Sequence, residues 1–468
     1  MSAALPGYDL RDPAPLTMAR DRLRAIQDER LRAMVAYVYE TSPFWRRKLT
    51  DAGIDPTDFA GVEDLPRLPF CTRAELDADQ AEHPPFGEYA CSPRETWMGL
   101  FTTSGTSGRK LKRVVSERDW RLMIDRFYRH PAPPPGEIFM LLGPIDGLLG
   151  PAVAVEAARQ RGQIPLLAGL WDTRTKVQAI AELRPGVIAG AASYIVHLSE
   201  VAREMGIDLA ACGLRSVTSF GEPGAAIEAT KTTIAHRYRV RDMVDGYGLT
   251  EVWPLGGNCP ASGALHIADD IAVVECIDAE TGQPLPEGET GEIVFTNLVG
   301  DTQPLLRYRS RDIGRLIISA PCECGATVTR IERIEGRTDD MIWYRGVNFF
   351  PSAVENIIRR QHELSSEYRI VLDAGPRGLP IVTIQVEALA TASPTAQPTA
   401  QDTRDRHELR DRVQAALRGG LGVNPEVEVL AHGSLPRAEQ AKAKRVLDRR
   451  TGSVHATHAS PPTERGAP

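Results

Sequence analysis

The chain has 468 residues, 42% of them hydrophobic, a net charge of −7 and a pI near 5.9. This length predicts two or more lobes, and the charge argues against a nucleic-acid or membrane partner bound electrostatically. Seven cysteines form no disulfide framework and fit a reducing compartment, while Pro, Gly and Asp break the longest apolar runs. We therefore expect a cytoplasmic protein without a membrane span that acts on small molecules.

The predicted elements of the N-terminal half alternate between helices and strands. Residues 15–51 carry apolar and charged side chains at helical spacing, which predicts an amphipathic helical segment. From about residue 95 to 250, short apolar runs such as IFMLL (138–142) alternate with helical stretches such as ASYIVHLSEVAREM (192–205). This pattern predicts β-α units around a parallel sheet, with ligands bound at the carboxyl ends of its strands.

The C-terminal half changes character. Residues 264–318 alternate at period two and contain turn signals, which predicts a β-rich subdomain. A small α+β domain is predicted over 339–450, after a first domain over 1–338. A run at about 389–405 is poor in large apolar groups and predicts a disordered insertion, and residues 451–468 predict a disordered tail.

A polar turn lies before the first β-α units. The stretch FTTSGTSGRK (101–110) combines two glycines, five hydroxyl side chains and two cations, a composition suited to holding phosphate oxygens. It is not a Walker loop, because Gly105 and Gly108 lie too close together and Arg109 stands where the Walker Lys belongs. By itself the stretch predicts either an anion site or a plain flexible loop.

Four further motifs follow this turn: DGYGLTE (245–251), RYRSRDIG (307–314), GRTDDMIWYRGVNFFP (336–351) and LPRAEQAKAKRVLDRR (435–450). Together and in this order they resemble the adenylate-forming superfamily, and DLPRLPF and GEPG resemble its phenylacetate-CoA ligase branch. The resemblance covers nearly the whole chain. It implies an α/β fold with a large N-terminal AMP-binding lobe, made of parallel sheets with helices plus the β-rich subdomain, and a small mobile α+β C-terminal lid domain.

The resemblance also implies the reaction. Such enzymes join a carboxylate to the α-phosphate of ATP, release pyrophosphate and pass the acyl group to a nucleophile, usually the thiol of CoA. An aromatic acid is expected, in a pocket lined by LLGPIDGLLGP (141–151) and GAASY (190–194), and a homodimer is expected too. The alternatives are a carrier-protein or amine acceptor, an unusual acid such as nitrite activated toward an arylamine, and a non-catalytic nucleotide-binding protein.

The resemblance implies a role for each residue that matches a family motif. The implied ATP contacts are Ser104, Gly105, Thr106, Ser107, Gly108 and Lys110 for the β- and γ-phosphates, Thr250 for the α-phosphate, Glu222, Pro223 and Tyr247 for adenine, and Asp312 and Arg337 for the ribose. Arg109 is the alternative to Lys110 as the cation that meets the γ-phosphate. Glu251 is the implied Mg²⁺ ligand, since a carboxylate supplies the hard oxygen that this ion prefers. Asp339 is the implied hinge between the two lobes.

The last motif contains the implied adenylation lysine. The family sequence Gly-Lys-Ala-x-Arg-Val aligns with residues 441–446 and favours Lys442, with Lys444 as the alternative. A carboxylate that attacks a tetra-anionic nucleotide needs charge neutralisation and positioning more than covalent help. An ammonium beside the carboxylate and the α-phosphate supplies that neutralisation.

Three cysteines and one histidine form a possible metal site. Cys259, His266, Cys322 and Cys324 give a Cys₃His set suited to tetrahedral Zn²⁺, and some members of the resembled branch hold a structural zinc between the same segments. Their spacing is irregular for a zinc finger. Because the two halves of the set must meet in space, ordinary reduced cysteines are the alternative.

Overall fold

The computed structural model describes residues 12–103, 110–127, 133–224, 226–344, 347–375, 380–389, 400–437 and 445–450. The chain divides into two compact units, and the division falls between Met341 and Ile342. The α/β fold class predicted from the sequence is confirmed by helices and strands that alternate through the first unit. Among the residues listed above, no helix is long and apolar enough to cross a membrane.

Helices make up much of the first unit. They are α1 (Arg20–Thr41), α2 (Pro43–Asp51), α3 (Arg73–Glu82), α4 (Glu117–Phe127), α5 (Leu149–Gln160), α6 (Thr173–Leu183), α7 (Ala192–Glu204) and α8 (Glu228–Tyr238). Local sequence sets where several of them begin. Thr72 caps α3 through a capping box with Glu75, and Ser42 caps α2, which has Pro43 in its first turn.

The strands of the first unit follow the same chain order. They are β1 (Trp97–Thr102), β2 (Lys112–Ser116), β3 (Ile138–Leu141), β4 (Ile164–Leu167), β5 (Val187–Gly190), β6 (Ser216–Phe220), β7 (Asp242–Leu249), β8 (Trp253–Asn258), β9 (Leu265–Ile267), β10 (Ala272–Ile277), β11 (Thr290–Asn297), β12 (Tyr308–Ile317) and β13 (Arg330–Arg337). β1 and β2 form an antiparallel hairpin in which Thr102 pairs with Lys112. The polar turn is therefore the connection of a hairpin.

One sheet of 11 strands runs through this unit, in the order β10-β11-β12-β13-β9-β8-β7-β6-β5-β3-β4. Its strands are parallel from β4 to β7 and antiparallel from β7 to β10. β5 is apolar and buried throughout, as expected for a parallel strand covered on both faces. The β-rich region predicted as a subdomain continues the main sheet, and the DGYGLTE strand lies where the sheet changes from parallel to antiparallel.

The second unit is a small α+β fold. Its elements are β14 (Ile342–Tyr344), β15 (Val347–Phe349), α9 (Pro351–Ile358), β16 (Leu364–Ala374), β17 (Pro380–Ala388), α10 (Ala400–Leu421), β18 (Glu426–Leu430) and β19 (Val446–Asp448). Four strands form a sheet in the order β18-β17-β16-β19. Its core includes Ile370, Ile384, Val413 and Leu417.

One prediction for this unit is wrong at its edge. α10 begins at Ala400, so residues 400–405 are helical rather than part of a disordered insertion. Leu409, Val413, Leu417 and Leu421 recur every four residues and are buried. Burial of this stripe stabilises a helix that extends back over the polar residues before it.

Candidate functional site

Three of the predicted nucleotide-binding motifs meet through two hydrogen bonds. The Tyr247 hydroxyl donates to Asp312 Oδ2 at 2.7 Å, and Arg337 Nη1 donates to Asp312 Oδ1 at 3.2 Å. Asp312 and Arg337 are direct partners between β12 and β13, whereas Tyr247 lies four strands away in β7. The antiparallel half of the sheet is therefore strongly curved, and it brings the predicted adenine and ribose contacts together.

Backbone strain and a second carboxylate flank this cluster. Arg311 has a φ of +65°, a left-handed conformation uncommon for a side chain of this size. Arg337 Nε donates to Asp339 Oδ1 at 3.1 Å, and Arg311 Nη1 donates to Asp339 Oδ2 at 3.4 Å. Arg337 thus holds both the predicted ribose carboxylate Asp312 and the predicted hinge residue Asp339.

The predicted Mg²⁺ ligand, Glu251, lies just after β7 and is held by two arginines. Arg73 Nη1, at the start of α3, donates to Glu251 Oε1 at 3.0 Å, and the Glu251 side chain is 9% exposed. Arg113 Nη2, on β2, donates to the Glu251 main-chain oxygen at 2.7 Å. Burial and the neighbouring Glu251 charge raise the pKa of the Tyr308 phenol well above its usual value.

The predicted adenine loop is anchored by two carboxylates, the partly exposed Glu222 and the buried Asp245. Glu222 Oε1 accepts a hydrogen bond from the Ser193 amide at 2.6 Å, so the GEPG motif contacts the first turn of α7. Ser219 Oγ donates to Asp245 Oδ1 at 2.7 Å. Burial, opposed by this hydrogen bond and by the amides of Ala226 and Gly224, raises the pKa of Asp245 to about 6.

The loops predicted to line the acid pocket lie at the carboxyl ends of the parallel strands. The Leu142 amide, after β3, donates to the Ala189 carbonyl of β5 at 2.8 Å. The loops after β3 and β4 are in close contact, since a Cβ atom at Gly169 would collide with the Gly143 carbonyl group. The Thr102 amide, at the end of β1, donates to the Gly147 carbonyl at 2.7 Å. This predicted acid-binding region therefore adjoins the hairpin that carries the polar turn.

A buried lysine lies beside Tyr194 of the GAASY stretch. The Lys176 side chain is fully buried, and its Nζ donates to the Tyr194 hydroxyl at 3.1 Å. Its ammonium lies 4.8 Å from the centre of the Tyr194 ring, a favourable cation-π distance. The Tyr194 hydroxyl is also 3.1 Å from Thr173 Oγ1, so two polar groups of α6 contact it.

Several predicted site residues lie outside the described part of the chain: Ser104, Gly105, Thr106, Ser107, Gly108, Arg109, Lys442 and Lys444. Lys110 is described and exposed, two residues before β2, and Thr250 directly follows β7. Pro223 is partly exposed in the loop that carries Glu222.

The four predicted zinc ligands come together. Cys259, His266, Cys322 and Cys324 offer ligand atoms that all lie within 4.8 Å of one another. The Cys322 and Cys259 sulfurs are 3.8 Å apart, which matches the edge of a tetrahedron with Zn–S bonds of about 2.3 Å. Burial alone would raise the pKa of the Cys322 thiol, but hydrogen bonds from Ser262 and the Cys324 amide lower it to about 6.

Four residues around the site were not among the sequence predictions: Arg73, Arg113, Asp245 and Tyr308. A signal existed for three of them, since Tyr308 is the second residue of the RYRSRDIG motif. Asp245 is the first residue of the DGYGLTE motif. Arg73 is the first residue of a helix whose start is predicted by the capping pair Thr72 and Glu75. Nothing in the sequence indicates that Arg113, on the strand after the polar turn, reaches the main chain of Glu251.

Known proteins resemble this chain over almost its entire length. The family model for the AMP-binding enzyme C-terminal domain matches residues 346–450. The phenylacetate-coenzyme A ligase of Thermus thermophilus is 34% identical over 93% of this chain and 98% of its own. That of Escherichia coli is 32% identical over 93% of this chain and 96% of its own. The solved structure of a 2-hydroxyisobutyryl-CoA ligase with a bound acyl-AMP superposes with a TM-score of 0.85 at 28% identity, covering 96% and 94% of the two chains.

The fold, the nucleotide-binding motifs and these similarities define an AMP-forming ligase of carboxylic acids. The chain belongs to the phenylacetate-CoA ligase branch of the adenylate-forming superfamily. The family and enzyme class predicted from the sequence are thereby confirmed.

Proposed function

We propose that this enzyme converts an aromatic carboxylic acid to its CoA thioester. In the first step a carboxylate oxygen bonds to the α-phosphorus of ATP, and the bond to the leaving pyrophosphate breaks. In the second step the CoA sulfur attacks the acyl carbon, its proton is lost and AMP leaves. The cluster of Tyr247, Asp312 and Arg337 carries the proposal, because it joins three nucleotide-binding motifs in one sheet.

We assign the ATP contacts by chemistry. The Asp312 carboxylate accepts hydrogen bonds from Tyr247 and Arg337, and a charged acceptor with two oxygens suits the 2′ and 3′ hydroxyls of the ribose. Thr250 offers a hydroxyl donor for the α-phosphate at the end of β7. These groups bind and orient the nucleotide, and the in-line attack needs that positioning.

Magnesium fits the residues around Glu251. The Glu251 carboxylate is a hard oxygen donor, and its side chain retains 9% exposure. Arg73 donates to its Oε1 at 3.0 Å. Glu251 would hold the ion, which when bound neutralises phosphate charge as pyrophosphate leaves.

Zinc fits the Cys₃His set in number, donor type and spacing. The set joins the turn between β8 and β9 to the loop before β13, and its two buried cysteines pack with Leu23 in a small core. The four residues lie outside the nucleotide-binding motifs of the sequence. We therefore propose a structural ion that stabilises this part of the sheet.

The expected acid is planar and compact. Tightly packed loops with glycines at their contacts favour a narrow site, and the Lys176–Tyr194 pair would give that site one polar side. A small branched hydroxy acid is the comparison substrate, because the similar solved enzyme carries such an acyl group by its description. Use of a carrier-protein acceptor and formation of a homodimer stay predictions from the resemblance.

A substrate panel tests this function. Purified enzyme, Mg²⁺ and ATP are incubated with phenylacetate, benzoate, aminobenzoates or 2-hydroxyisobutyrate, with and without CoA, while pyrophosphate, AMP and acyl-CoA are measured. We expect acyl-CoA and AMP with an aromatic acid, and strong losses in Asp312→Asn. Asp64→Asn, which alters a partly exposed carboxylate paired with Arg67, is the matched control.

Three results would contradict the proposal in different ways. Acyl-adenylate without any use of CoA would indicate another acceptor. Product only with 2-hydroxyisobutyrate would exclude the aromatic class. Tight ATP binding without pyrophosphate release for any acid would favour a non-catalytic protein.

A further inference from the structure

Arg113 is buried near the candidate metal site without a carboxylate partner. The residue is 2% exposed, and among the described residues no ion pair to it is found. Its Nη2 donates to the main-chain oxygens of Glu251 at 2.7 Å and Gln303 at 2.6 Å. The guanidinium also lies 5.8 Å from the centre of the Tyr89 ring. A buried charge held by carbonyl dipoles and an aromatic ring loses hydration, so it is a poor way to stabilise a core. Its two bonds instead fix the position of main-chain atoms.

The strand that carries Arg113 is attached to the same loop at two further points. The Val114 amide donates to Gln303 Oε1 at 2.9 Å, and the Ser116 amide donates to Thr302 Oγ1 at 3.0 Å. β2 therefore binds the 301–303 loop along its free edge. Through Arg113 the same strand also binds the turn that carries Glu251.

β2 begins immediately after the polar turn. Lys110 lies three residues before Arg113, and Thr102, on the other side of the turn, pairs with Lys112. The guanidinium is thus the direct link between the hairpin that holds the predicted phosphate contacts and the main chain of the predicted metal ligand.

We propose that Arg113 is a positioning residue that sets the placement of Glu251 against the phosphate-binding hairpin. This inference rests on the proposed function, in which Glu251 holds the divalent cation. A metal ion that contacts both a carboxylate and nucleotide phosphates requires a fixed spacing between them, and loss of the Arg113 bonds would loosen that spacing. Arg113 acts through Glu251 and does not itself contact the reacting atoms.

Binding of Mn²⁺ tests the proposal without any catalytic readout. Mn²⁺ is titrated into the full-length protein saturated with an ATP analogue that has a methylene bridge between its α- and β-phosphates. Free Mn²⁺ is measured by electron paramagnetic resonance. We expect Arg113→Met to weaken Mn²⁺ binding about tenfold, and Arg113→Lys, which keeps a charged donor, to weaken it about threefold or less.

Arg330 supplies a matched control. It is also a buried arginine, and its Nη2 donates to the Ala320 main-chain oxygen, away from Glu251 in the contacts described. Arg330→Met should lower the melting temperature and leave Mn²⁺ affinity unchanged. If Arg113→Met does not fold, Arg113→Gln, a shorter neutral donor, replaces it, with the same tenfold loss expected.

A double variant separates positioning from general destabilisation. Because Arg113 acts through Glu251, Arg113→Met should add no further loss of Mn²⁺ affinity to Glu251→Gln. The proposal is overturned if Arg113→Met binds Mn²⁺ like the wild type, if Arg330→Met weakens it equally, or if the two losses add. If Glu251→Gln binds Mn²⁺ normally, the metal assignment in the proposed function fails as well. If Arg113→Met binds Mn²⁺ normally while Glu251→Gln binds it weakly, the positioning role is wrong and the metal assignment stands.

Discussion

Replacing Asp312 with Asn should weaken ATP binding through the ribose. The carboxylate is 5% exposed and accepts hydrogen bonds from Tyr247 on Oδ2 and from Arg337 on Oδ1. In Asp312→Asn the amide keeps a single acceptor oxygen and can place its NH₂ group opposite Arg337, a donor facing a donor.

The magnitude follows from the hydrogen bonds that the ribose would lose. One hydrogen bond to a charged acceptor contributes about 1.5–3 kcal/mol, and the remaining bond weakens because its acceptor is now neutral. We expect a total loss of about 2–3 kcal/mol, which corresponds to roughly 30- to 150-fold weaker ATP binding. Calorimetric titration of Mg-ATP in the absence of acid measures this loss directly.

The sharper test compares nucleotides. If Asp312 holds the ribose hydroxyls, 2′,3′-dideoxy-ATP should bind the wild type far more weakly than ATP does, but bind Asp312→Asn only a few-fold more weakly than ATP does. Asp64→Asn should behave like the wild type with both nucleotides. An equal loss on removal of the hydroxyls in the wild type and in Asp312→Asn would refute the assignment.

The remaining predictions concern the metal, the lid motif and pH. The purified protein should contain about one zinc per chain by mass spectrometry of metals, and Cys322→Ser should lower both zinc content and melting temperature; normal zinc in that variant would contradict the ligand set. Lys442→Ala should abolish adenylate formation yet spare thioester formation from supplied acyl-AMP, whereas Lys444→Ala should keep both; the reverse pattern would make Lys444 the adenylation lysine. Burial raises the pKa of Asp245 from 3.8 to about 6, so the stabilisation linked to its bound proton is present below about pH 4 and is lost as the pH rises through 6. Between pH 4 and 7 the free energy of unfolding of the wild type should therefore fall by up to about 3 kcal/mol relative to Asp245→Asn, measured by urea unfolding, and parallel pH profiles would show that Asp245 is ionised throughout.

Much of the fold follows from periodic patterns in the sequence. The alternation of apolar runs and helical stretches predicts the parallel strands β3 to β6 and the helices between them, because each β-α unit is locally coded. The sequence does not indicate that the β-rich region continues the same sheet. That continuity depends on β13 pairing with β9, about 65 residues earlier in the chain, and such long-range register leaves no local signal. α10 is longer than its composition suggests because its buried stripe, not its first turn, decides where it forms.

The site divides in the same way. The order of the motifs identifies Tyr247, Asp312 and Arg337 as nucleotide-binding candidates, and residue type identifies the zinc candidates. Each of these predictions needs only a side chain and its neighbours in the sequence. Their mutual contacts required the curved sheet. Arg113 was missed because its role lies in bonds to main-chain oxygens, and every residue has such an oxygen whatever its identity.

Because Arg337 binds two carboxylates, the affinity for ATP and the strength of the Arg337–Asp339 contact depend on each other. The Arg337 guanidinium donates to Asp312 at 3.2 Å and to Asp339 at 3.1 Å. A nucleotide that changes the contact between Arg337 and Asp312 therefore also changes the contact between Arg337 and Asp339. By linkage, a substitution at Asp339 must shift ATP affinity by the same factor by which ATP shifts the Asp339 contact. A variant of Asp339 judged only by its rate of thioester formation would therefore be misread as a pure hinge defect, when part of its effect is a change in how tightly ATP is bound.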